Sequence, residues 1–245
     1  MSYQSENVRP YNSPESKKKQ VQHMFDEIAP TYDKLNRFMS LGIDNSWRRD
    51  AIQKLEPLHP ESILDIATGT GDFAILAQKI LRPQSIVGID ISDKMMAIGE
   101  QKVERLGLSG VIRFENQDCT ALTFPENHFD AATVAFGVRN FEDIDAGFTE
   151  IRRVLKPGGR FVFLELTTPE RFPMKQLYGI YSKYLIPFMG RLMSTDKQAY
   201  EYLPASIKAF PQGDRMVKTL EKNGFVNVRL KRYTGGVCTL YIAEK

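Results

Sequence analysis

Residues 62–76 read SILDIATGTGDFAIL, an apolar run cut by Thr68-Gly69-Thr70-Gly71-Asp72. Ser62–Ile66 has the character of a short buried strand, and an apolar-periodic segment to about Leu81 follows the glycines. Strand, glycine loop and helix in that order open a doubly wound sheet. A glycine in such a loop removes the Cβ where a ligand needs close approach to the backbone. The next helix points its free N–H groups at the same place. Asp65, Gly69, Thr70 and Gly71 are therefore the first candidate binding residues.

The alternation continues outward from this unit. Ser85–Asp90 reads as a second strand, Lys94–Leu106 as a helix, Val111–Glu115 as a third strand and Phe129–Phe136 as a fourth. A helix to about Leu155 follows, then a turn at Lys156-Pro157-Gly158-Gly159 and a fifth strand, Arg160–Leu166. Strands alternating with helices predict an α/β fold, a mostly parallel sheet with helices on both faces. Right-handed crossovers place the strand C-termini on one edge. Residues 170–210 interrupt the alternation with aromatic helical material. Pro211 is expected to open a helix to Lys222, closed by Gly224. Phe225–Arg232 and Val237–Ala243 flank Gly235-Gly236 as an antiparallel hairpin, giving seven strands. Upstream, residues 1–15 read as a loose arm. Ser16 caps a helix to about Ile28 that Pro30 stops, and residues 31–56 read as one or two helices broken at Gly42. The expected organisation is an arm and helical cap over 1–56 and a main domain over 57–245, with a helical insertion at about 170–210.

Composition narrows the chemistry. The chain has 245 residues, 42% hydrophobic and 26% charged, with a formal charge of +3. A general nucleic-acid binder is not favoured at that charge. Cys119 and Cys238 lie far apart, as do His23, His59 and His128, so neither a metal site nor a disulfide scaffold is expected. A reducing cytoplasm fits this cysteine usage. The first residues lack the apolar core of a signal peptide, and no run approaches the ~20 apolar residues of a membrane span.

The glycine loop admits three readings. One is a tight strand-to-helix turn. Another is a dinucleotide dehydrogenase, since Gly69–Ala74 nearly matches G-x-G-x-x-G/A. The third is a site for S-adenosylmethionine (SAM). Asp65, just before the loop, can face a cationic amino-acid portion. Asp90, ending the second strand, can accept from two ribose hydroxyls. Asp118-Cys119 follows the third strand, where an adenine edge would lie, with Cys119 contributing mainly its backbone. The terminal hairpin is unlike the second half of a dehydrogenase. LDIATGTGD (64–72), VGIDIS (87–92), NQDC (116–119), FD (129–130) and LKPGG (155–159) together resemble the class I SAM-dependent methyltransferases, whose fold is Rossmann-like.

Longer stretches narrow the resemblance. YDKLNRFMSLGIDNSW (32–47), FGVRN (136–140) and RVLKPGGRFVFLE (153–165) are similar to the menaquinone/ubiquinone C-methyltransferase family. The chain departs from that family's pattern at Leu35, usually Met, at Asp44-Asn45, usually His-Arg, and at Ala135, often Ser. The resemblance implies SAM as methyl donor and a prenylated hydroquinone as partner substrate, with the helical cap on the substrate side. Demethylmenaquinol becoming menaquinol is the preferred reaction. A ubiquinone-type benzoquinol, another small aromatic or lipid, and SAM binding without turnover stay open as alternatives. Arg139 would stabilise a phenolate, Asn140 would orient a hydroxyl or water, and Tyr32 would hydrogen-bond the quinol. Arginine stays protonated and is a poor general base; water relayed to Asp118 or another acid serves better. Asp33 reads as a cap or the partner of an arginine, and Trp47 as core. Lys17–Lys19 reads as a solvated face, with attraction to a membrane surface as the alternative. Residues 174–193 combine Leu177, Tyr178, Tyr181, Tyr184, Leu185, Phe188, Met189 and Leu192 with Lys175, Lys183 and Arg191, around a helix-bending Pro187. Such a stretch can pack on the core, cover the substrate, form a homodimer surface or make transient contact with the inner face of a membrane.

Overall fold

A computed structural model describes residues 3–185 and 198–245. Its sheet has seven strands: β1 Ser62–Ile66, β2 Ser85–Asp90, β3 Ile112–Asn116, β4 Phe129–Ala135, β5 Leu155–Leu166, β6 Val226–Tyr233 and β7 Cys238–Glu244. They lie in the order β3-β2-β1-β4-β5-β7-β6. β1 to β5 pair in parallel, and β7 runs antiparallel to both β5 and β6. The chain reverses its direction of travel across the sheet between β1 and β4. The crevice at their carboxyl ends is where doubly wound sheets bind ligands.

The strands are apolar on both faces because both faces are covered. Ile63, Ile86, Ala131 and Val162 meet Ala51 and Ile52 of α3 (Asp44–Gln53), Phe73 and Ala77 of α4 (Asp72–Leu81) and Val103 of α5 (Asp93–Arg105). Leu64, Val87, Phe161 and Phe163 meet Phe148 and Ile151 of α6 (Ile144–Val154). A third cluster joins Val21 and Met24 of α1 (Lys17–Ile28), Leu35 of α2 (Tyr32–Ser40) and Tyr202 of α8 (Gln198–Ala209). α7 covers Met174–Ile180, a π-helical turn spans Tyr181–Leu185, and α9 covers Asp214–Lys222. Leu41 and Gly42, with φ of 50° and 76°, separate α2 from α3.

Several expectations change here. Lys156–Gly159 is not a turn ahead of β5 but an excursion within it. Leu155 already pairs with Phe129, pairing resumes at Arg160 with Ala131, and Lys156 reaches Asp130 at 2.6 Å. The last helix opens at Asp214 rather than Pro211, because Gly213 sits at φ 59°, outside helical geometry, with its N–H bonded to the Tyr241 hydroxyl. Lys17 is buried rather than solvated. Asp33 pairs with Lys102 at 2.6 Å, not with an arginine. Trp47 is core, as expected, with its indole N–H on Thr234 at 3.2 Å. Pro187, Phe188, Met189, Arg191 and Leu192 of the aromatic stretch lie outside the described residues.

Candidate functional site

Two cavities meet at the C-terminal edge of the sheet. The smaller, about 80 Å³, is lined by Gly69, Asp90, Asp118, Cys119 and Asn140. Asp90 ends β2 and accepts from the N–H groups of Gly69 at 2.8 Å and Ser92 at 3.0 Å. Burial raises its pKa against the pull of those donors. Gly69 holds φ 55°, and an added Cβ would stand 3.3 Å from the Met95 methyl. Asp118 accepts from Thr120 and pairs with Lys18 at 2.8 Å. Burial opposes its ionisation, but those bonds prevail and hold its pKa below the usual carboxylate value. Burial drives the Cys119 thiol well above its ordinary pKa, so it stays neutral.

The other three candidates of the glycine loop stand behind this cleft. Asp65, 1% exposed, accepts from Thr68 and Thr133 at 2.6 Å each. Burial, outweighing those bonds, lifts its pKa to about 6. The Thr70 hydroxyl donates to Asp33 at 2.7 Å and accepts from Lys102 at 2.9 Å, which ties α2 to the loop and α5. At Gly71 a Cβ would meet the Phe114 ring at 2.8 Å, so this glycine serves close packing of helix on sheet.

The larger cavity, about 420 Å³, is apolar and lies under the cap. Met24, Leu35, Met39, Trp47 and Tyr178 contribute to its wall, with Arg139 among them. Phe25, Tyr32 and Phe136 line both cavities. Phe136 follows β4 at φ 64°, a conformation costing an L-residue of order 1–3 kcal/mol and concentrated at functional sites. Burial raises the Tyr32 phenol pKa, keeping its proton available for donation. Arg139 lies in a short 3-10 turn, Val138–Asn140. Its Nη1 donates to the Phe136 carbonyl and to Glu165 Oε1 at 2.6 Å, and its backbone N–H reaches Glu165 Oε2 at 3.1 Å. Its buried Nε–H has no partner among the described residues. Burial disfavours the charged guanidinium, but Glu165 outweighs it and the pKa rises. Asn140 Oδ1 accepts from the Tyr202 hydroxyl at 3.0 Å.

Sequence reasoning missed Glu165, fully buried at the end of β5. A lone carboxylate closing the apolar run RFVFLEL was its only signal. It also missed the Asp33–Lys102–Asp72 cluster, in which Lys102 sits 2.6 Å from each acid. No groups suited to a metal ion occur among the described residues.

Residues 13–245 match the model of the ubiE/COQ5 methyltransferase family. The chain is 56% identical over 245 residues, the whole of both chains, to a demethylmenaquinone methyltransferase of Bacteroides fragilis. It is 43% identical to that of Porphyromonas gingivalis, covering 98% of each chain. A ubiquinone/menaquinone biosynthesis C-methyltransferase of Geotalea daltonii shares 44% over 94% of this chain and 97% of its own. Among solved structures, the [4+2]-cyclase SpnF superposes with a TM-score of 0.68 at 17% identity, over 93% of this chain and 96% of its own. A possible histamine N-methyltransferase of Thermotoga maritima superposes at 0.60 and 17%, over 91% and 99%. At those identities the likeness concerns the fold alone.

Proposed function

The chain belongs to the ubiE/COQ5 methyltransferase family, and from that premise we infer that it converts demethylmenaquinol to menaquinol with SAM as methyl donor. One observation carries this reading: a crevice that holds Asp90 and Asp118 and a large apolar cavity share Phe25, Tyr32 and Phe136, so their contents can meet.

The residues of the smaller cleft fit SAM. Two carboxylates, Asp90 and Asp118, stand where hydroxyl and amino donors of a nucleoside need acceptors, and Gly69 keeps the wall low. Bound SAM supplies an electrophilic methyl group. We propose that Asp90 receives the ribose, that Asp118 and the Cys119 backbone border the adenine, and that Thr70, Asp65 and Gly71 shape the loop. The cleft is smaller than the roughly 300 Å³ of an ordinary small-molecule site, so we propose that the Lys18–Asp118 pair at its rim opens when the cofactor enters.

On the substrate side, alkylation of a ring carbon is fastest when the neighbouring oxygen carries negative charge. Arg139, permanently cationic in the wall of the apolar cavity, is proposed to stabilise that oxygen. Glu165 orients it from behind. Tyr32 donates to the second oxygen, and Asn140, held by Tyr202, orients the hydroxyl or a water. Leaving the ring, the prenyl tail follows the apolar cavity to a mouth where Leu41, Ile43 and Leu177 are exposed. We propose that this mouth meets a membrane surface while the tail enters. No helix among the described residues is long and apolar enough to cross a membrane.

The test is purified protein with methyl-labelled SAM and demethylmenaquinone, chemically reduced or strictly oxidised. Label should enter the ring only from the reduced form, since the quinone lacks a phenolic donor. Asp90→Ala should weaken SAM binding about tenfold or more, the worth of a charged hydrogen bond. Arg139→Lys should slow turnover and spare SAM affinity, because lysine lacks the planar fork. Equal labelling of quinone and quinol would end this reading of the chemistry.

A further inference from the structure

Three consecutive lysines begin α1, and one of them is enclosed. Lys17 is 1% exposed, while Lys18 reaches Asp118 and Lys19 stays in water. Its Nζ donates to three backbone carbonyls: Ser5 at 2.8 Å, Arg139 at 2.9 Å and Phe141 at 3.0 Å. No carboxylate forms an ion pair with it among the described residues; Glu6, Glu142 and Glu165 act on it from a distance, and Arg139 opposes it. Burying an ammonium without an ion-pair partner is costly, and a solvated lysine would have served α1 as well. What the enclosed one does is join two segments far apart in sequence. Ser5 belongs to the N-terminal arm. Arg139 and Phe141 flank Asn140 in the turn that carries two of the three proposed catalytic residues.

The three acceptors use all three N–H groups that an ammonium has. A neutral amine has two, and its lone pair would face a carbonyl. We propose that Lys17 is a positioning residue for methyl transfer: its ammonium clamps the 138–141 turn to the N-terminal arm and so holds Arg139 and Asn140 in working orientation. This rests on the proposed roles of those two side chains. Burial, outweighing the favourable effect of Glu6, lowers the Lys17 pKa to about 8, so the clamp opens in the alkaline range. Linkage separates this from unfolding. The folded form sheds the proton near pH 8 while the unfolded form keeps it to about 10.5, so this group raises global stability as pH climbs between those values. Turnover is lost there while the fold is retained.

The experiment uses the full chain and reads hydrogen exchange at the Arg139, Asn140 and Phe141 amides, with turnover and SAM affinity measured in parallel. Lys17→Met should speed exchange at these amides about tenfold or more and lower kcat comparably, with SAM affinity within about twofold, since the charged hydrogen bonds lost join the turn to the arm and none involves Asp90 or Asp118. In the wild type, exchange corrected for its intrinsic pH dependence should rise above pH 8, and kcat should fall on a limb of the same pKa. Lys17→Arg, which stays protonated, should move that limb beyond about pH 10. Wild-type exchange at these amides in folded Lys17→Met, or an unmoved alkaline limb in Lys17→Arg, overturns the proposal. If Lys17→Met does not fold, the wild-type exchange series and Lys17→Arg decide alone. Exchange needs no quinol, so a wild type inert toward demethylmenaquinol, with exchange still responding to Lys17, would sink the substrate reading and leave the clamp standing.

Discussion

Glu165 and Arg139 form a buried pair in which each oxygen of the carboxylate has an assigned donor. Removing one partner of such a pair costs about 3–5 kcal/mol, because the other charge is left uncompensated. Glu165→Gln keeps the shape and loses the charge, so its melting temperature should fall by roughly 6–20 °C for a chain of this length, and kcat should fall while SAM affinity holds. Calorimetry beside steady-state assays checks both; unchanged kcat would leave Glu165 a purely structural acid. Asp65 makes a different prediction. Its folded pKa, about 6, lies above the ordinary 3.8, so the folded state binds the extra proton. Its contribution is complete below about pH 4 and is lost as pH rises through 6, amounting to ~3 kcal/mol at most. Asp50, Asp118, Asp130 and Asp145, with lowered values, slope the other way. The stability of wild type minus that of Asp65→Asn should therefore decline between about pH 4 and about pH 7 in denaturant titrations. A flat difference would refute the assignment.

The polar contacts of α1 across the cofactor cleft include Lys18 to Asp118 at 2.8 Å, Asp26 to the Ser92 hydroxyl at 2.6 Å, and Glu27 to Lys94 at 3.4 Å. Partly exposed ion pairs contribute about 0.2–1 kcal/mol. Lys18→Met should accordingly tighten SAM binding by up to about fivefold, mostly through faster association, in stopped-flow measurements; slower association would mean that Lys18 guides the cofactor in. Elements of this kind were legible in sequence to unequal degrees. β1 and β2 match their expected bounds because a buried parallel strand is a short apolar run between turn residues. The helix after Ser16 was equally plain, and the Ser16 hydroxyl does accept from the Lys19 N–H. Glu165 and Lys17 were not legible, since a charge in a sequence does not say whether it will be enclosed. Thr70 illustrates the same limit: the loop was evident, but its hydroxyl turns to Asp33 on a helix 37 residues earlier. Periodicity reports which face is apolar; it carries no record of which distant polar group a side chain will meet.

At the scale of the whole molecule, the proposed site residues gather at one edge of the sheet, and the apolar cavity opens there between two exposed ridges. Leu41 is 81% exposed on one side of the mouth, and Phe172 and Ile180, 82% and 60% exposed, lie on the segment opposite. The Tyr181 hydroxyl bonded to the Met39 carbonyl joins the two sides. Lys34, Arg37, Lys175 and Lys183 are exposed on the same elements. Replacing Leu41 and Ile180 with serine should reduce sedimentation with anionic liposomes and raise KM for long-tailed quinols more than for short-tailed ones. Equal effects on both tails with normal sedimentation would remove the mouth from any membrane role. Deeper in, Phe25, Tyr32 and Phe136 are walls of both cavities at once. A ring that rotates to admit one ligand necessarily redraws the chamber of the other. The two binding equilibria are then heterotropically linked, and reciprocity requires that whatever factor the quinol imposes on SAM affinity, SAM imposes on the quinol. The order of addition can change the path of assembly but not that factor, and substitution of a single shared ring should alter it from both sides alike.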